Sequence, residues 1–194
     1  MNRKLIIFFL LSAIALLFAC RNQTARTSHL FRKIMYNDTT NFRGIYLGAN
    51  IDYAYQREQP FQPDHKDKLG LSYTFVLDST TIMMVDYYSD NLKTELPSNR
   101  IASIVANIIL DDEVQAAKLY GELRSYLNEQ CGVSNGIYGD LSWETSNKYT
   151  PSIEVRLGLD DNKKEITLNY IDIQPSQDST LNGVAIDSFY QVVP

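Results

Sequence analysis

Residues 100–132 read RIASIVANIILDDEVQAAKLYGELRSYLNEQCG, and they decide the fold. From Arg100 to Leu110 the residues Ala102, Ile104, Ala106, Ile108 and Leu110 alternate with Ile101, Ser103, Val105, Asn107 and Ile109. A strand apolar on both sides belongs in the middle of a sheet, with a helix over at least one face. Asp111, Asp112 and Glu113 then crowd three acids where a helix N-terminus favours negative charge. Ala116, Leu119, Tyr120, Leu123, Tyr126, Leu127 and Cys131 follow at three- and four-residue steps, and Gly132 suits a helix end. Gly121 costs this helix about 1 kcal/mol against Ala, so close packing on the sheet is expected there.

Outward from this strand and helix, the period is two on both sides. Leu71, Tyr73, Phe75 and Leu77 share a face, Asp78 to Thr81 turn, and Ile82 to Tyr88 return as a hairpin. Strands are also expected at Tyr138 to Glu144, Ser152 to Leu159 and Glu165 to Ile173, with Asp160 to Lys164 as a turn. Asn50 caps a brief helix from Ile51 to Glu58, which Pro60 and Pro63 stop. The expectation is an α+β, two-layer domain over 42–194. It has an antiparallel sheet of about six strands, one long and one short helix, and an α-β-β-β pseudo-repeat. Gln174 to Gly183 reads as a linker, and Val184 to Val193 as an added edge strand.

The chain opens differently. Asn2, Arg3 and Lys4 precede a run from Leu5 to Ala19 interrupted only by Ser12, and Cys20 closes it. Fifteen residues fall short of the roughly 20 that a spanning helix needs, and match the apolar core of an export signal. Leu17-Phe18-Ala19-Cys20 resembles the lipobox of bacterial lipoprotein precursors. That resemblance implies cleavage after Ala19 and acylation of Cys20, with several chains giving an anchor that one chain cannot. A plain secreted protein and an uncleaved anchor are the alternatives. Arg21 after the cysteine, in place of the Asp that retains lipoproteins at the inner membrane, implies an outer-membrane protein facing the periplasm. No acidic run that would tag it for the cell surface follows in Arg21-Asn22-Gln23-Thr24. Residues 20–41 are polar and basic and read as a tether, lying along an anionic leaflet or simply solvated. His29-Leu30-Phe31 is where the domain begins if it begins early. Gly44 and Gly48, flanking an apolar pair, resemble the entry of small periplasmic two-layer α/β lipoprotein domains.

Without residues 1–19 the chain has 194 − 19 = 175 residues, with 18 − 2 = 16 basic and 23 acidic side chains, a balance of −7. One domain is expected, and nucleic acid is excluded as a natural partner. Acylated Cys20 leaves Cys131 without an intrachain disulfide partner, and its place on the long helix predicts a buried, inert thiol. His29 and His65 sit in unlike contexts, and no zinc, P-loop, dinucleotide or serine-hydrolase motif occurs. No cofactor or metal is therefore expected. Asp160-Asp161-Asn162 has oxygen donors but lacks the glycine and distal Glu of a calcium loop. Asp140 with Glu144 is the carboxylate pair a hydrolase would need.

Thirteen tyrosines are many for this length. Tyr53, Tyr55, Tyr87 and Tyr88 are candidate binding residues, their rings suited to a protein or a glycan, against the plainer reading of sheet-covering side chains. The composite expectation is a non-catalytic, lipid-anchored module binding an envelope protein, of inhibitor or immunity type. A glycan-binding module is the alternative, and an Asp/Glu hydrolase comes third.

Overall fold

The computed structural model of the chain describes residues 27–36, 41–90, 99–147 and 150–173. Among these are helices α1 (His29–Met35), α2 (Ile51–Arg57) and α3 (Glu113–Cys131). The strands are β1 (His65–Lys66), β2 (Gly70–Val76), β3 (Thr81–Ser89), β4 (Ile101–Leu110), β5 (Asn135–Ile137), β6 (Asp140–Asn147), β7 (Thr150–Leu159) and β8 (Glu165–Asp172). All eight join one antiparallel sheet in the order β1-β2-β3-β4-β8-β7-β6-β5. The α+β class with an antiparallel sheet holds, but six strands and two helices become eight and three. The additions are short: β1 has two residues, β5 three and α1 seven, too few to imprint a period on the sequence.

Period two explains the layers. Tyr73 and Phe75 on β2, Val85 and Tyr87 on β3, Ala106 and Ile108 on β4, Leu168 and Tyr170 on β8, Leu157 on β7 and Trp143 on β6 all point to one side and are buried. The helices and the 42–54 segment supply the opposing layer, through Ile34, Phe42, Ile45, Ala54, Leu119 and Leu123. As expected, β4 is central, between β3 and β8, with Ala106 opposite both Val85 and Leu168.

Each helix end follows from its residues. The Asp112 side chain accepts from the Val114 amide at 2.9 Å and Gly132, at φ 91°, ends α3. The Asn50 side chain caps α2, accepting from the Asp52 amide at 2.8 Å. Gly121 corrects the expectation of close packing: it is exposed, and a Cβ there would meet nothing within 4 Å. Gly44 and Gly48 both take positive φ, near 80°, which explains glycine at each.

The stretch expected as a tether contains a docked helix. Ser28 caps α1, accepting from the Phe31 amide at 3.1 Å, while its own amide and hydroxyl donate to Glu122 at 3.0 and 2.6 Å. Phe31 is buried and meets Tyr126 edge-on at 5.6 Å. His29-Leu30-Phe31 thus lies in the folded unit. Residues 1–26, including Cys20, and the Val184 to Val193 strand lie outside the described residues.

Candidate functional site

The sheet's second face carries no helix among the described residues. It is built from the alternate positions of each strand: Ser72, Thr74 and Val76; Ile82, Met84, Asp86 and Tyr88; Val105, Asn107 and Ile109; Glu165, Thr167 and Asn169; Glu154 and Arg156; Asp140, Ser142 and Glu144. Cross-strand register places Val76, Ile82 and Ile109 in one row at the end of the sheet, with Glu165 next in line. Their exposures of 75%, 42% and 38% make this an apolar strip open to solvent, extended by Met84 at 37%. The charge on the rest of the face is mostly acidic: among the described residues of β3 and β6–β8, Asp86, Asp140, Glu144, Glu154 and Glu165 stand against Arg156. Arg156 is itself held by Glu154 through contacts of 2.7 and 3.2 Å.

At the β1 edge, His65, Asp67, Leu69, Ser72 and Tyr88 line a hollow of about 270 Å³. The His65 imidazole, 3.1 Å away, and the Leu69 amide hold the Asp67 carboxyl below the usual carboxylate range.

The four candidate tyrosines do not form one platform. Tyr88 is 42% exposed on the open face, while Tyr87, its neighbour in a strand, points to the other side and is fully buried. Tyr53 is exposed on α2, and Tyr55 is half-buried there with the Lys66 ammonium 3.9 Å from its ring centre. Nor do Asp140 and Glu144 converge: four residues of strand separate them by about 13 Å, beyond the reach of a glycosidase pair. Asp160 and Asn162 hold the β7–β8 turn, accepting from the Lys164 amide at 3.0 and 2.9 Å. Among the described residues no three His, Cys, Asp or Glu side chains cluster as metal ligands. Cys131 is partly buried, and burial pushes its thiol up.

Sequence reasoning missed a buried ionic network. The Arg43 guanidinium donates to both Glu58 carboxylate oxygens at 2.9 Å and to the Lys33 carbonyl at 3.0 Å. The Tyr87 hydroxyl donates to the same carboxylate. The Phe75 ring lies 4.2 Å from the guanidinium carbon. Desolvation alone would lower the Arg43 pKa, but the Glu58 carboxylate outweighs it and the net shift is upward. Burial, then the Glu58 charge, raise Tyr87 well above the usual tyrosine range. The usable signal was phase: Met83 and Val85 put Tyr87 on the inner face. Nothing local linked Arg43 to Glu58, fifteen residues on. The network ties the 42–50 loop, α1 and α2 to β3. Its ion pair, 9% and 3% exposed, forms the floor of a small crevice beside Tyr36 and Phe61, with the fully buried Tyr87 behind it, and it serves as a structural lock.

No family model, curated protein or solved structure matches this chain. Among the described residues, no helix is long and apolar enough to cross a membrane.

Proposed function

We propose that the chain is a lipid-anchored, non-catalytic cell-envelope protein, held through acylated Cys20 at the outer membrane and facing the periplasm. Its domain binds another envelope protein, as a protein-binding or inhibitor/immunity-type module, through the open face of its sheet. The observation that carries this reading is that face itself. An exposed apolar row of Val76, Ile82 and Ile109 borders a field of five acids and one arginine. The complementary partner presents an apolar strip rimmed by Lys and Arg, which the acids steer and orient. Because Tyr53, Tyr55, Tyr87 and Tyr88 form no single platform, we place the protein-binding reading ahead of the glycan-binding alternative. The two halves, each a helix followed by antiparallel strands that meet at β4 and β8, support reading them as a duplicated α-β-β-β unit with a short outer strand added to each.

Two experiments separate anchor from surface. Cys20→Ala abolishes acyl labelling and releases or mislocalises the chain; labelling and fractionation unchanged from wild type would refute the anchor. From solubilised membranes, wild type co-purifies with a stoichiometric basic partner, and Val76→Asp with Ile109→Asp loses it while staying membrane-bound. Retention of the partner by that variant, or no partner with wild type, would refute the surface.

A further inference from the structure

On the helical side of the domain, four exposed aromatic side chains are joined through one arginine. Tyr36, Tyr46, Tyr53 and Phe61 are 66%, 51%, 40% and 51% exposed. The Tyr46 and Tyr53 rings lie 6.0 Å apart, and the Tyr53 hydroxyl donates to the Gly44 carbonyl at 3.3 Å. The Arg57 side chain lies against Gly44, so closely that a Cβ there would come within 2.6 Å of Nε. The guanidinium carbon of Arg57 also stands 5.5 Å from the Tyr36 ring centre. Tyr36, Arg57, Gln59 and Phe61 then line one crevice with the Arg43–Glu58 pair at its floor, and Phe61 is fixed edge-on to Phe75 at 5.1 Å. The patch is therefore continuous, and it belongs to the layer opposite the open sheet face.

We infer that this patch is the surface by which the domain lies against the headgroup region of the membrane holding its lipid. The inference rests on the acylated Cys20 proposed above. Chain length supplies the first argument. Ser28 is fixed to α3 by Glu122, and the 28 − 20 = 8 residues back to Cys20 span at most about 29 Å in any conformation. A domain of this size has a diameter of about 40 Å, so such a tether keeps its α1 side towards the bilayer. Helix α1 adds only about 10 Å of rise before the chain reaches Tyr36 at the patch's edge. Chemistry supplies the second argument. Rings with polar tips, one phenylalanine and a guanidinium are the side chains that settle at headgroup depth, half in the apolar boundary and half in water. Arg57 and the exposed Arg32 on α1 give the patch a cationic rim for an anionic leaflet, while the nearby Asp52 is offset by Lys66 at 3.9 Å. With the patch on the bilayer, the open sheet face points away from it.

The test uses the full chain, exported and purified from membranes, then reconstituted in phosphatidylethanolamine–phosphatidylglycerol vesicles containing quencher-bearing lipids. In a Cys131→Ser background a single thiol-reactive fluorophore is placed at Gln56→Cys or Gln59→Cys beside the patch, or at Met84→Cys on the open face. Lipid quenching several-fold stronger at 56 and 59 than at 84 is expected, and Tyr46→Ser with Tyr53→Ser reduces it. Equal quenching at all three positions, or none at 56 and 59, overturns the inference. The acyl mass at Cys20, measured on the same samples, reports separately on the anchor. Acylation without patch quenching refutes the patch alone, and patch quenching without acylation refutes the anchor alone.

Discussion

Replacing Arg43 by methionine removes the cation from a pair whose side chains are only 9% and 3% exposed. Three hydrogen bonds are lost, two to Glu58 and one to the Lys33 carbonyl that closes α1. The Glu58 carboxylate stays buried, with the Tyr87 hydroxyl still donating to it. Breaking one side of such a pair costs about 3–5 kcal/mol, because an uncompensated charge remains. For a chain of this size that corresponds to a fall of about 6–20 °C in Tm. Glu58→Leu leaves the opposite charge and has a similar cost. The double variant Arg43→Met, Glu58→Leu leaves neither ion, so it recovers at least about 2 kcal/mol relative to the sum of the single changes. Urea unfolding followed by fluorescence of Trp143, the one tryptophan and 1% exposed, measures all three. Single variants costing under about 1 kcal/mol, or a double variant equal to their sum, would refute the account of this network as a desolvated, mutually dependent lock.

Three further outcomes follow from particular residues. Gly121→Ala, on the exposed side of α3 with nothing near its Cβ, raises stability by about 0.5–1 kcal/mol in the same titration, and a loss would mean the site is packed after all. Burial, with the Glu58 charge behind it, pushes Tyr73 up to about 12 and moves Tyr87 in the same direction. Their protonated forms therefore support the fold fully below pH about 10, where an unfolded tyrosine ionises, and that support is lost as pH rises towards about 12. Tm measured across that window falls while phenolate absorbance appears with unfolding, whereas a flat Tm would contradict the assignment. Cys131 reacts slowly with thiol reagents at neutral pH in the folded chain and rapidly in urea, because burial raises its thiol pKa; fast labelling of the native chain would contradict this.

Much of the architecture was legible because long elements carry their period. Strand β4 alternates over ten residues, and α3 holds its apolar stripe over nineteen between Asp112 and Gly132. What escaped is short or long-range. The two residues of β1 are strand only because they pair with Leu71 and Ser72. The helix α1 sits in a polar, basic stretch, and Phe31, Ile34 and Met35 gain meaning only beside α3. The open face was legible in part: the alternation already placed Ile82 and Ile109 on the side away from Met83 and Ile108, but only the β3–β4 register puts the two in one row, and the β4–β8 pairing sets Glu165 beside them. Tyr87 and Tyr88 show the limit most plainly, since adjacent strand residues face opposite ways and only one of them reaches solvent. The patch around Arg57 could not be foreseen, because Tyr36, Tyr46, Tyr53 and Phe61 are brought together by the turn at Gly44 and by the ends of α1 and α2.

The proposal that the open face is the docking surface is tested most directly by site-specific photocrosslinking in living cells. A photoreactive residue at Ile82, in the apolar row, is compared with one at Lys118, exposed on α3. The expected result is one discrete heavier species from Ile82 in the membrane fraction, containing a basic envelope protein, and none from Lys118. No adduct from Ile82, or an adduct formed only from Lys118, would contradict it.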